Sequence, residues 1–194
     1  MWKEFRARAL QAGAEVERVA GRAEALDVIE RVLAAEGVCD APGREAVWAP
    51  CPFLQGLDAE TVLERLPGLR FDVTLARAAG ALVGISQADW GIADTGTLAQ
   101  DCGAVAQRLV STLPGTHLAL LEADRLVPDL ATYLSVQPPT GADYLGLITG
   151  PSRTADIERV LTIGVHGPRR LVVVVVDGLT PNPSPLPAES RRRA

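Results

Sequence analysis

Cysteine and histidine are scarce in this chain, and their scarcity removes several kinds of chemistry. Cys39, Cys51 and Cys102 are an odd set without a Cys-x-x-Cys pair, so the sequence offers neither a disulfide framework nor a thiolate zinc or iron–sulfur site. They suit a reduced, cytoplasmic setting. His117 and His166 are the only imidazoles and lie far apart in sequence, which argues against a histidine-rich metal centre. Positive charge is also in the minority. The 19 Lys and Arg against 24 Asp and Glu leave a net charge of -5, which repels a phosphate backbone. The one basic run, Arg191 to Arg193, reads as a solvated tail rather than a nucleic-acid arm. No apolar run approaches the roughly 18 to 20 residues that span a bilayer. The strongest, Leu171 to Val176, is strand-sized, and Met1 to Arg6 lacks the apolar segment of a signal peptide.

What is present fits one globular domain of 194 residues, with 47% hydrophobic and 22% charged residues. Trp2, Phe5 and Ala9 line one side of a helix that Gly13 closes, and Ala14–Val19 alternates as a strand. Leu26, Ile29 and Leu33 predict a helix over Arg22–Glu36, with Gly37 at its C-cap. Ala46–Ala49 reads as a strand stopped by Pro50 and Pro52, and Asp58 as the N-cap of a helix carrying Val62, Leu63 and Leu66. Phe71–Leu75, Ala81–Ile85, Gly91–Ala93 and Thr97–Gln100 are short apolar pieces, some of them strands. His117–Leu121 is a further strand, followed by Asp124 capping a helix with Leu126, Leu130 and Leu134. The last unit reads as strand Tyr144–Thr149, helix Ser152–Ile163 and strand Leu171–Val176. Its final run has no polar face and predicts burial on both sides of a parallel sheet through a right-handed crossover. Beyond Gly178, four prolines in nine residues mark a tail over 179–194.

Two segments invite chemistry. Asp94-Thr95-Gly96-Thr97 is either a turn presenting N–H groups and hydroxyls to an anion or a tight turn bonded to its own backbone. Asp-Thr-Gly also marks aspartic proteases, but a single copy among several helical patterns does not suit that all-β class. Gly150-Pro151-Ser152, with Thr154 and Asp156 following, reads as a strand-to-helix junction that either binds an anion at the helix N-terminus or simply caps the helix. His166 and Gly167 lie in the next loop, which a simple crossover places at the opposite sheet edge. Ser111 and His117 lack an orienting acid for a catalytic pair.

In order, Asp94-Thr-Gly-Thr97, Leu113-Pro114 with His117, Gly150 to Glu158, and Gly164-Val-His-Gly-Pro168 resemble the LUD domain, and more narrowly the LutC/YkgG group of lactate utilisation proteins. Asp94 stands where that group often carries a glutamate. The resemblance runs from about Phe71 to Asp177 and implies a single LUD domain over 1–178 with a helical N-terminal segment. It implies an α/β Rossmann-like sandwich with a mostly parallel sheet, similar to the NagB/RpiA/CoA transferase-like group. It also implies a cytoplasmic system that oxidises L-lactate to pyruvate with iron–sulfur-containing partner subunits. This chain would be the subunit without a cluster or other cofactor. Asp94, Thr95, Gly96, Thr97, Gly150, Pro151, Ser152, Thr154 and Asp156 are the candidates for binding a small or anionic ligand, with His117, His166 and Gly167 behind them. Two other classes stay open: an independent enzyme for a phosphorylated or CoA-linked small molecule, and a ligand-binding adaptor without catalysis.

Overall fold

The computed structural model describes residues 1–137, 144–154, 162–164 and 166–178. Among these, six strands form an all-parallel sheet: β1 (Glu15–Val19), β2 (Ala46–Trp48), β3 (Leu69–Arg70), β4 (Val83–Ala88), β7 (Thr116–Glu122) and β12 (Arg170–Val176), in the order β1-β12-β7-β4-β2-β3. A second sheet, in the order β8-β5-β6-β9, holds β5 (Trp90–Ile92), β6 (Thr97–Asp101), β8 (Leu126–Val127) and β9 (Leu145–Ile148). The helices are α1 (Trp2–Gln11), α2 (Arg22–Glu36), α3 (Ala59–Arg65), α4 (Leu75–Gly80), α5 (Val105–Thr112) and α6 (Leu130–Val136).

The run Leu171–Val176 shows how this sequence builds layers. Side chains alternate across a strand, so Val172, Val174 and Val176 enter one core with Leu26 and Ile29 of α2 and Val62 of α3. Leu171, Val173 and Val175 enter the other, against Phe5 and Ala9 of α1 and Leu98 of the second sheet. Each buried valine contributes roughly 1.5–3 kcal/mol, and a strand covered on both faces needs no polar residue. The result is an α/β sandwich of the Rossmann-like kind, with α2 and α3 on one face and α1, α4, α5 and the small sheet on the other. Arg170 ties the amino-terminal edge together, reaching Glu15 at 2.7 and 2.8 Å and Glu36 at 2.7 Å.

Four expectations are corrected. Strand β9 lies in the second sheet, antiparallel to β6, so the anticipated crossover from it to β12 within one parallel sheet does not occur. No helix runs from Ser152 to Ile163. That segment opens with β10 (Arg153–Thr154) and closes with β11 (Thr162–Ile163), an antiparallel pair rich in β-branched residues, while 155–161 lie outside the described residues. The helix expected from Asp124 starts one turn later. Leu126 and Val127 are drawn into β8 beside Gly91 and Ile92, and Asp129 caps α6 by accepting from Thr132 N at 2.7 Å. There Tyr133 is buried, while Leu130 and Leu134 face solvent. Finally, Phe71–Thr74 is neither strand nor helix and leads into α4, capped by Thr74, and neither α4 nor α5 was anticipated. The proline-rich segment 179–194 lies outside the described residues. No helix among the described residues is long and apolar enough to cross a membrane.

Candidate functional site

Two clefts lie at opposite ends of the central strands β4 and β7. The one at the amino-terminal end, about 410 Å³, collects Gly150, Pro151, Ser152, His117, His166 and Gly167 from the sequence-derived candidates. The expected separation of His166 from the Gly150 loop is therefore overturned. Ser152 N donates to Pro168 O at 2.8 Å and Gly164 N donates to Ser152 O at 2.9 Å, which folds the two loops together. Gly167 permits that approach, since a Cβ on it would stand 3.0 Å from Ser152 Cβ.

The other glycines have a structural reason. Gly150 has φ +71° and a Cβ there would stand 2.3 Å from Ala12 O, while Gly96 has φ +66° and a Cβ would stand 2.2 Å from Ala9 N. Both glycines are needed because the end of α1 lies against them. Thr97 Oγ1 bonds Thr95 Oγ1 at 2.8 Å and Thr149 Oγ1 at 2.7 Å, joining the β5–β6 turn to the end of β9. Asp94 and Thr95 are exposed and are not among the residues lining either cleft. Asp156 lies outside the described residues, as does the rest of 155–161. With Arg153–Thr154 extended, a phosphate-binding helix N-terminus at Ser152 is absent.

His117 is 1% exposed and sits at the head of a buried polar chain. Its Nε2 lies 2.8 Å from Ser86 Oγ, which donates to Gln100 Oε1 at 3.0 Å. Gln100 Nε2 donates to Gln107 Oε1 at 2.7 Å, and Gln107 Nε2 donates to Pro50 O at 2.8 Å. Burial lowers the His117 pKa to about 4, so the ring is neutral. Its Nδ1 has no hydrogen-bond partner among the described residues. An acid to orient the ring is absent there, which sets this Ser/His contact apart from a hydrolytic triad.

The second cleft, about 230 Å³, opens at the carboxyl ends of β4 and β7, where open α/β sheets commonly receive ligands. Sequence reasoning missed it. Gln87, Asp89, Asp101, Glu122, Arg125 and Tyr133 line it. Gln87 Oε1 accepts from Phe53 N at 2.7 Å, and its Nε2 donates to Glu122 Oε1 at 3.0 Å. Asp89 Oδ2 accepts from Asp101 N at 2.5 Å, and the Arg125 guanidinium lies 5.1 Å from the Trp90 ring centre. Asp89 keeps an exposed edge, yet the protein packed round its carboxyl, and then the Asp101 charge, raise its pKa against the pull of Arg125. Burial and the same two aspartates raise Tyr133. The signal for this cleft was an acid directly after a buried run: Asp89 follows Val83–Ala88, and Glu122 follows Leu118–Leu121.

The described residues contain no group of three His, Cys, Asp or Glu placed to hold a metal ion. Cys39 and Cys51 are half-buried and Cys102 is buried. Burial pushes the Cys51 and Cys102 thiols up, away from the thiolate a cluster needs.

A six-stranded parallel sheet capped by a small second sheet, with clefts at both ends, defines a Rossmann-like α/β protein. The profile of the LUD domain matches residues 2–176, and the chain belongs to that family. Among similar proteins is Lactate utilization protein C of Geobacillus sp., 38% identical over 102 residues that cover 50% of this chain and 42% of that protein. The protein of the same name from Anoxybacillus flavithermus is 29% identical over 160 residues, 79% of this chain and 70% of the relative. That from Exiguobacterium sp. is 32% identical over 161 residues, 78% and 66% respectively. In the Geobacillus case the matched stretch spans less than half of the relative's length. The crystal structure of a DUF162 family protein from Deinococcus radiodurans shares the fold, with a TM-score of 0.62 and 22% identity over 90% of this chain and 95% of the other.

Proposed function

We propose that this chain is the subunit without a cluster in an iron–sulfur-dependent, cytoplasmic system that oxidises L-lactate to pyruvate. The observation that carries the reading is membership of the LUD family across residues 2–176, together with relatives named Lactate utilization protein C. Oxidation of lactate to pyruvate releases two electrons and two protons. Three cysteines fall short of the four thiolates of a conventional cluster, and two of them are held as thiols by burial. The electrons therefore go to clusters in partner subunits. The contribution of this chain is to hold the hydroxy acid and complete the assembly.

The test is anaerobic purification of the tagged chain from native cells grown on lactate, with lactate-dependent dye reduction measured on the eluate. Activity together with cysteine-rich, iron-containing partners is the expected result. A chain that purifies alone and inactive, from cells whose lactate oxidation persists in the flow-through, contradicts the reading.

A further inference from the structure

The buried chain that starts at His117 has one end whose direction is not negotiable. Pro50 O is a backbone carbonyl and only accepts, so Gln107 presents its Nε2 there and turns its Oε1 to Gln100. Gln100 must then offer Nε2 to Gln107, leaving its Oε1 for Ser86. Ser86 has one hydrogen and spends it on Gln100, so its oxygen accepts from His117 Nε2. A neutral imidazole with its proton on Nε2 carries a bare lone pair on Nδ1. Each step follows from hydrogen count alone, and Ser86, Gln100 and His117 are each at most 1% exposed.

His117 lines the amino-terminal cleft while Ser86 does not, and with Nε2 bonded to Ser86 the buried Nδ1 is the ring nitrogen left without a partner there. A buried acceptor without a donor is costly, and an incoming hydroxyl is the group that satisfies it. We infer that the amino-terminal cleft binds a small hydroxy acid whose O–H donates to His117 Nδ1. The identity of the acid rests on the lactate reading above, whereas the acceptor nitrogen rests on the polar chain alone. Charge favours this cleft over the other. Its described lining has Arg153 and no carboxylate, whereas the carboxyl-end cleft sets Asp89, Asp101 and Glu122 beside the single cation Arg125. The geometry also discriminates between hydroxy and oxo acids. A keto oxygen placed at the same point sets one lone pair against another, and the lost hydrogen bond weakens binding about tenfold.

The test is nitrogen-15 NMR on the full chain with labelled histidine at neutral pH, the two rings being assigned with a His166→Gln variant. In the free protein His117 is expected to carry its proton on Nε2 and to show an unprotonated Nδ1. Adding L-lactate shifts the Nδ1 resonance, and pyruvate does so only at about tenfold higher concentration. A proton found on Nδ1, a resonance that no probe moves, or equal responses to lactate and pyruvate would overturn the proposal. Propane-1,2-diol separates its two parts. If the diol moves Nδ1 and lactate does not, the hydroxyl site stands, and the hydroxy acid assigned to it is refuted. Because the readout is a ring nitrogen of this chain, it is independent of whether lactate oxidation needs the protein.

Discussion

Replacing Gly96 with alanine separates a glycine kept for packing from one kept for a ligand. At φ +66° an L-residue sits in the left-handed region, which costs roughly 1–2 kcal/mol. The new Cβ would stand 2.2 Å from Ala9 N, 2.6 Å from Arg8 C and 2.7 Å from Ala9 Cα, all of them backbone atoms of α1 that no rotamer change can move. The helix must retreat from the core it shares through Phe5 and Ala9, and overpacking of this kind costs about 1–3 kcal/mol. The two effects sum to roughly 2–5 kcal/mol, and at about 2–4 °C per kcal/mol for a chain of this size Tm falls by roughly 4–20 °C. Gly43→Ala is the control, because Gly43 has φ +75° with nothing within 4 Å of its Cβ and bears the backbone cost alone. Thermal melts and urea titrations of the two variants give the difference. If Gly96→Ala melts no lower than Gly43→Ala, α1 does not press on this turn, and the ligand-cradling reading of Asp94–Thr97 returns.

Three further outcomes are expected. His117 is held near pKa 4 by burial against an ordinary 6.5, so the unfolded chain binds its proton first as pH falls; stability is full above about 6.5 and loses roughly 3 kcal/mol by pH 4, a slope that His117→Gln should flatten in urea titrations. Asp89 has a raised pKa, so its charge opposes folding at neutral pH; Asp89→Asn should raise Tm at pH 7 and have no such effect at pH 3, and a lower Tm at pH 7 would contradict the account of the carboxyl-end cleft. Arg170→Met leaves Glu36 and Glu15 without their shared cation at the amino-terminal edge and should cost about 1–3 kcal/mol, measured by urea midpoint at unchanged m-value.

The elements legible in the sequence were those written in local signals. Helix α2 runs over Arg22–Glu36 with Gly37 in the left-handed cap at φ 75°, and α3 starts at Asp58, whose carboxylate accepts from Thr61 N at 3.0 Å. The apolar run at Leu171–Val176 announced a strand buried on both faces because nothing in it could face water. What failed depended on partners distant in sequence. Leu145–Ile148 looks the same whether it joins the parallel sheet or pairs with Thr97–Asp101, and Leu126–Val127 becomes strand only because Gly91 and Ile92 lie beside it. The candidate residues divide on the same line. His117, Gly150, Ser152 and His166 do meet at one cleft, but their convergence rests on the loop bonds from Ser152 to Pro168 and Gly164. Gly96 and Gly150 suggested backbone open to a ligand, and the close neighbour is α1. The polar chain from His117 to Pro50 joins positions 31 to 57 residues apart at two of its links, beyond any spacing rule.

The central claim is a role in lactate oxidation, and deletion of the gene tests it most directly. Cells lacking this chain and supplied with L-lactate as sole carbon source should lose lactate-dependent pyruvate formation, and the wild-type chain supplied in trans should restore it. Lactate consumption and pyruvate formation at the parental rate in the deletion strain would contradict the account.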